Sequence, residues 1–320
     1  MNVYDFDNTI YDGDSSKDFY KFCIKMNKKC LFIIPKFMFI LCLYMIKIVN
    51  KEKLKSNYFS FLKYFNNIDE VVEKFWELNK TKIKKFYIDN KHKNDIIISA
   101  SPEFLLKPIS KIYGFKLVAT KVDKKTGKLL DNNCYGEEKV KKIEEHHIKK
   151  IENFYSDSLS DTPLSKISNN SFIVKGDKII KWENYKLTFF KKIIKTFLDR
   201  DFFTFLFIGV INVFNGVVLA LFYSKFIENK ILAFIIGFIC SLTIAYILNS
   251  ILNFKSKLSI KKYLMFALNN IPNFIIQVLT VIILLNKLNC SKFWSYLISS
   301  TIAVPITFVL VKINVFKKRI

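Results

Sequence analysis

"MNVYDFDNTIYDGDSS", residues 1–16, runs from a short apolar stretch into Asp5, Asp7 and Thr9 and ends in a turn rich in Gly, Asp and Ser. Taken alone, an acidic pair after an apolar run is more often a turn former or helix N-cap than a catalyst. Its weight comes from three later segments, each also an apolar run or turn that ends in a polar group. "DIIISASPEF" (95–104) offers Ser99 and Ser101, "YGEEKVKKI" (135–143) offers Lys139, and "NFYSDSLSDTPL" (153–164) offers Asp157 and Asp161. The β-type runs 2–6, 95–100, 152–158 and 171–176 alternate with helical patterns, which predicts an α/β domain with a mainly parallel sheet. Ligands in such sheets gather outside the carboxyl ends of the strands. Asp5, Ser99 and Asp157 all fall at those ends, so they are expected to converge.

Three carboxylates near one point repel one another unless a cation neutralises them. Oxygen ligands without His or Cys favour Mg2+. A carboxylate beside Mg2+, with a Lys and a Ser hydroxyl near, suits phosphoryl transfer through an aspartyl-phosphate. A second Asp two residues on is placed to protonate the leaving oxygen and then activate water.

The set "DFDNT", "IIISAS", Lys139 and "SDSLSD" resembles the four motifs of the haloacid dehalogenase (HAD) superfamily. "SASPEF", "GEEKV" and "YSDSLSDTPL" are most similar to its phosphoserine-phosphatase-like branch. The resemblance covers residues 1–187 and implies a Rossmann-like α/β fold with an inserted helical cap at about 13–90. It implies Asp5 as nucleophile and Asp7 as general acid/base, with Ser99, the Ala100 backbone and Lys139 on the phosphoryl group. Mg2+ would be held by Asp5, the Asp7 carbonyl and Asp157, while Asp161 orients Lys139 and a metal-bound water and Thr9 supports the loop. Ser156 departs from the Gly that many relatives carry there, and Ser101 competes with Ser99, which fits better because it ends the apolar run. "VATKVDKKTGKLL" (118–130) reads as a β-hairpin with a Lys-Thr-Gly turn, a further detail of that branch. His92, His146 and His147 flank none of the motifs and read as solvated helix-face residues.

Within the expected cap, "LFIIPKFMFILCLYMIKIVN" (31–50) has an uncharged centre too short to span a bilayer, with Pro35 near its start. One crossing here would also separate Asp5 and Asp7 from every later motif. Three readings stay open: an amphipathic helix against the membrane interface, a helix buried in a small helical subdomain, or a re-entrant or spanning element. Caps close over the site and select substrate, so a cap lying on a bilayer would select a lipid-linked phosphate.

Composition shifts near residue 200. Hydrophobic residues make up 51% of the chain, more than a soluble globular protein usually carries. Four runs near spanning length follow, at about 202–226, 231–254, 263–286 and 293–316, after a juxtamembrane linker at 188–200. The net charge of +24 comes from Lys spread along the chain and densest beside apolar runs, which points to anionic lipid head groups rather than a nucleic acid. Cys23, Cys30, Cys42, Cys134, Cys240 and Cys290 show neither zinc nor disulfide spacing. The basic sequences "KKIIKTFLDR", 255–262 and "FKKRI" lie on one side of a four-span topology. That side is expected to be cytoplasmic, together with residues 1–200. Asp5 and Asp7 also occupy the place where a signal peptide would need its basic and apolar regions.

The second and fourth runs end alike, in "ILNFKSK" and "KINVFKKR", which suggests a two-plus-two repeat. Asn212, Asn215, Asn249, Asn269, Asn270, Asn273 and Gln277 read mostly as interhelical glue and Lys312 as a snorkelling end, with Pro272 and Pro305 as breakers. "FLFIGVINVFNGV", "AYILNSILNFKSK" and "FKKRI" resemble the GtrA-like family of small four-span proteins, a looser likeness covering 202–317. It implies a role with polyprenyl-phosphate-linked sugars in cell-surface polysaccharide synthesis, with a glycosyltransferase partner or a homo-oligomer.

The expectation is therefore a multi-pass cell-membrane protein with a cytoplasmic Mg2+-dependent phosphatase domain. Its partners would be membrane lipids and a phosphorylated, lipid-linked substrate, with no nucleic acid. The alternative is a flippase or transporter of lipid-linked sugar with the first domain as accessory. A third reading, an inactive scaffold, is opposed by the intact Asp5, Asp7, Lys139 and Asp157.

Overall fold

The computed structural model describes residues 1–148, 150–284, 288, 290, 298, 302 and 304–317. They divide into two compact units, Met1–Leu41 with Val49–Lys186, and Cys42–Ile48 with Leu187–Ile320.

The first unit is built on a six-stranded sheet: β1 (Asn2–Tyr4), β2 (Ile96–Pro102), β3 (Lys116–Thr120), β4 (Ile151–Ser156), β5 (Ser168–Lys175) and β6 (Lys178–Lys181), in the order β3-β2-β1-β4-β5-β6. All neighbouring pairs are parallel except β5 and β6, which form an antiparallel hairpin at one edge. The strands near the centre are apolar on both faces, as a parallel sheet covered by helices requires. Val3, Ile96, Ile98 and Phe154 enter one core, and Tyr4 and Ile97 the other, following the two-residue strand period.

Helices α1 (Ser15–Met26), α2 (Ile34–Met45), α3 (Lys51–Tyr58), α4 (Ile68–Asn79) and α5 (Lys85–Asn90) fill the β1–β2 connection where the cap was expected. They do not form a separately cored lobe. Phe19 of α1 and Val72, Phe75 and Trp76 of α4 share one core with Tyr4, Ile97 and Leu105. Of the three readings open for helix α2, burial in a helical subdomain is not observed, since Ile40 is its one buried residue. The β2–β3 and β3–β4 connections carry α6 (Glu103–Tyr113) and α7 (Glu137–Glu145), and α8 (Thr162–Ser165) follows β4. The expected hairpin after β3 is short, joined by a Val122–Leu129 bridge and by hydrogen bonds Asp123 N to Lys128 O and Leu130 N to Lys121 O. Its Gly127 has φ +74°, and a Cβ there would lie 2.2 Å from the Phe59 carbonyl oxygen. Only glycine fits a turn this close to another backbone.

The second unit is helical, with α9 (Phe189–Phe197), α10 (Arg200–Tyr223), α11 (Lys230–Leu248), α12 (Ile260–Asn269) and α13 (Ile271–Ile282). Helix α9 is amphipathic, with Lys191, Lys192 and Lys195 set against Ile194 and Phe197. Helix α10 has a mean hydropathy of 2.4 over a spanning window, and the window 236–253 of α11 and its extension reaches 1.7. The third expected span is two helices that meet at Asn270, with Pro272 opening the second. Most of 293–303 in the fourth span, and the side chains of Asn273 and Gln277, lie outside the described residues.

The suggested repeat has a structural counterpart. Helix α11 continues into a π-helical turn, Asn249–Asn253, followed by Phe254 and by Lys255 at φ +48°. A second π-helical turn, Val311–Val315, is followed by Phe316 and by Lys317 at φ +50°. The rings of Phe254 and Phe316 stack at 4.2 Å. Several amides do act as glue: Asn212 accepts from Ser241, and Asn314 donates to Asn269 at 2.8 Å. Lys312 does not snorkel. Its side chain is 5% exposed and lies between Asp199 and Asp201 at 3.1 and 3.2 Å.

Candidate active site

The strand order reverses direction at β1, where the connection through β2 and β3 returns to β4. A crevice therefore opens at the carboxyl ends of β1 and β4. Asp5 directly follows β1, and its backbone N–H donates to the Tyr155 carbonyl of β4 at 2.8 Å. The loop then tightens. Ile10 and Tyr11 donate to Phe6 O, Asn8 takes φ +56° and donates to Gly13 O, and Gly13 takes φ +123°. This curl brings Asp7 back over the start of α1, whose Ser15 N–H donates to Asp7 Oδ1 at 2.6 Å.

Lys139, in the first turn of α7, reaches under the loop. Its ammonium donates to Asp5 Oδ1 at 2.6 Å and to Asp161 Oδ2 at 2.8 Å, with all three side chains nearly enclosed. Ser156, the departure from the Gly of many relatives, donates its hydroxyl to the same Asp161 Oδ2 at 2.7 Å. Burial pushes Asp5 up to about 7, with the neighbouring Asp161 adding to it and Lys139 opposing. Burial alone would neutralise Lys139, but the two carboxylates hold it protonated, above its ordinary range. Asp157 is half-buried and also raised, chiefly by burial, and its carbonyl accepts from Lys175.

The second carboxylate has different company. Among the described residues Asp7 is held by neutral donors, Ser15 N–H on one oxygen and the Ser101 hydroxyl on the other, both at 2.6 Å. Burial raises its pKa and those hydrogen bonds oppose the rise. Ser99, expected on the phosphoryl group, is buried and accepts from Ser101 N–H at 3.0 Å. Ser101, set second to it by sequence, is the serine that touches a site carboxylate. Ala100 turns its carbonyl to Lys55 and to Thr120 Oγ1. Thr9 is buried, but its hydroxyl has no hydrogen-bond partner among the described residues, so its support of the loop is packing alone.

Two cations escaped the sequence reading. Lys55 of α3 sends its ammonium to the Ala100 carbonyl, Asn133 Oδ1 and Thr120 Oγ1, which ties this helix to the end of β2. Burial pulls it down to about 7, although three acceptors call for the three donors of the charged form. One turn earlier, Lys51 lies 2.9 Å over the Tyr135 ring, and burial pulls it down to about 8. In a chain so rich in Lys, two more at helical spacing carry no contrast. The three histidines take no part: the His92 N–H donates to Asp95, and His146 and His147 close α7 on its exposed side.

The donor set can be tested for fit to a divalent cation. Among the described residues Asp161 Oδ1 is buried with no partner and no cation pairs with the Asp157 carboxylate, while Asp5 spends one oxygen on Lys139. Among the described residues no three His, Cys, Asp or Glu side chains form a ready-made cage. A set of two carboxylates and the Asp7 carbonyl is not such a cage. It suits Mg2+, which keeps several water or substrate oxygens in its shell. Asp5, Asp157 and the Asp7 carbonyl therefore fit that ion, with Asp161 Oδ1 left to accept from a water.

Residues 3–166 match the family model of haloacid dehalogenase-like hydrolases, and residues 204–316 match that of the GtrA/DPMS transmembrane domain. Among solved structures, a protein of unknown function from Bordetella pertussis Tohama I is similar at 16% identity, covering 53% of this chain and 87% of its own, with a TM-score of 0.45. A phosphoserine phosphohydrolase-like protein from Francisella tularensis gives 13% identity, 53% and 86% coverage and a TM-score of 0.36. A phospho-aspartyl intermediate analogue of phosphoserine phosphatase gives 18%, 53% and 83%, and 0.34. None of the curated proteins matches this chain.

Proposed function

The chain belongs to the haloacid dehalogenase-like hydrolases, and on that premise we propose that it is a membrane-tethered, Mg2+-dependent phosphomonoester phosphatase. The observation that carries this reading is the unequal pairing of the two loop carboxylates. Asp5 faces an ammonium that favours its anionic form against burial, whereas Asp7 meets only neutral donors among the described residues, which favours keeping its proton.

Asp5 attacks phosphorus to form an aspartyl-phosphate while Asp7 gives its proton to the leaving oxygen. Asp7, now a base, takes a proton from the water that releases phosphate and restores Asp5. Lys139 holds phosphoryl oxygens from below and Asp161 keeps it in place, with Ser99 and the Ala100 backbone on the opposite side. Asp5, Asp157 and the Asp7 carbonyl would hold Mg2+, whose charge would offset that of the phosphoryl group in the transition state.

The GtrA/DPMS-type segment supports a lipid-linked or sugar phosphate of cell-surface polysaccharide synthesis as substrate, and the basic span ends support a cytoplasmic site. Phosphate release by the purified full chain, with and without Mg2+, from a polyprenyl phosphate and from soluble phosphomonoesters tests this, with Asp5→Asn as control. Release from neither class sinks the enzyme reading, and release from soluble esters alone removes the lipid substrate. The recurring π-helical turns and the buried Lys312 favour a second reading, transport of a lipid-linked sugar with the first unit as accessory. It fails if scrambling of such a lipid in liposomes survives deletion of residues 198–320.

A further inference from the structure

Helix α2 and the turn before it pose a physical problem. Residues 31–45, "LFIIPKFMFILCLYM", include a single charge, Lys36. A helix apolar on all faces belongs inside a protein core or a membrane. Yet Leu31, Phe32, Ile34, Met38 and Phe39 are 40%, 73%, 40%, 49% and 63% exposed. A contiguous apolar surface of this kind marks a contact site.

Two observations say what covers it. The end of the helix and the following turn, Cys42–Ile48, fold with the second unit and clasp the first residues of the spanning helix α10. Arg200 Nε donates to Tyr44 O at 2.7 Å, its guanidinium lies 4.0 Å from the Tyr44 ring, and Thr204 Oγ1 donates to Met45 O at 3.3 Å. Lys47 pairs with Asp201 and donates to Asn253. The apolar helix is thus continuous with residues at the mouth of a membrane span. The second observation is charge, since Lys28, Lys29 and Lys36 border the apolar surface and are exposed, as anionic head groups require.

We propose that α2 is a non-spanning, lipid-embedded helix whose Phe32, Met38 and Phe39 enter the acyl region. Its 12 residues reach about 18 Å, short of a bilayer core of about 30 Å. The embedding stands apart from the phosphatase reading. Its consequence for substrate, a phosphomonoester presented from the lipid phase, rests on that reading.

The test uses the full chain in vesicles of phosphatidylcholine and phosphatidylglycerol. A nitroxide is placed at Met38→Cys or Phe39→Cys, with Cys42, Cys240 and Cys290 changed to Ser and Lys111→Cys as an exposed reference. Collision with oxygen should exceed collision with a water-soluble nickel chelate at 38 and 39, and the order should reverse at 111. The water pattern at 38 and 39 overturns the proposal. So does protection from both reagents, which would mean a protein occupant such as a second copy. A Phe32→Ser/Phe39→Ser variant should keep its rate on a soluble ester and lose about tenfold on a vesicle-borne one. Lipid contact at 38 and 39 without phosphate release from any ester leaves the embedding standing and sinks the phosphatase reading.

Discussion

Replacing Lys139 by Met probes the charge balance of the site most directly. The ammonium pairs with Asp5 Oδ1 and shares Asp161 Oδ2 with Ser156, and its side chain is 3% exposed. Met fills the space of the stem and leaves two buried carboxylates facing each other without a cation. Removing one member of a buried ion pair costs about 3–5 kcal/mol, a large share of a typical domain's stability. The pH dependence has a definite sign. The Asp5 pKa is already raised from 3.8 to about 7, so its contribution to stability is present below the lower value and is lost as pH rises through the upper one. Without Lys139 that pKa rises further, so the Asp5 part of the deficit against the parent should be smaller near pH 5.5 than near pH 8. Adding Asp5→Asn removes one of the opposed charges and should recover part of the loss. Denaturant unfolding of the full chain in detergent, followed by the fluorescence of buried Trp76, measures it. A deficit below about 1 kcal/mol at pH 8, or one that does not change with pH, would refute the reasoning.

Gly127→Ala should destabilise the first unit by at least about 2 kcal/mol, since it adds left-handed strain to a clash with the Phe59 backbone; a midpoint unchanged in urea would contradict the close approach. Lys55→Met frees α3 from Ala100, Thr120 and Asn133 and should raise KM more than it lowers kcat, which steady-state phosphate release will separate. Ser156→Gly removes one donor from Asp161 while Lys139 stays, so stability should fall by about 1 kcal/mol with kcat within roughly threefold. Phe254→Ala breaks the ring stack and should cost the second unit about 3 kcal/mol or more, read as a lower midpoint of thermal aggregation in detergent.

Strand chemistry made the first unit legible: Val3, the three isoleucines at 96–98 and Phe154 could only be strands buried on both faces, and their ends hold the polar groups. The parallel sheet follows from that pattern. Partnership among the serines was not legible. Which of Ser99 and Ser101 meets Asp7 depends on how the chain curls after β2, a tertiary matter that residue order does not encode. Lys51 and Lys55 were hidden by composition, because a functional Lys stands out only where Lys is scarce. Helix α2 stayed open among three readings, because residue order does not say whether an apolar stretch meets lipid or protein.

The stack of Phe254 on Phe316 joins two π-helical turns that each lead into a basic residue. Two like ends can meet in this way only if they emerge at the same end of the helical unit. The repeated halves therefore point the same way, related by an axis along the helices rather than across them. An inverted pair can exchange inward-facing and outward-facing roles by swapping the conformations of its halves. Halves that point the same way have no such exchange open to them and would have to rock against one another, with Lys312 where the other turn has Ser250 setting the two apart.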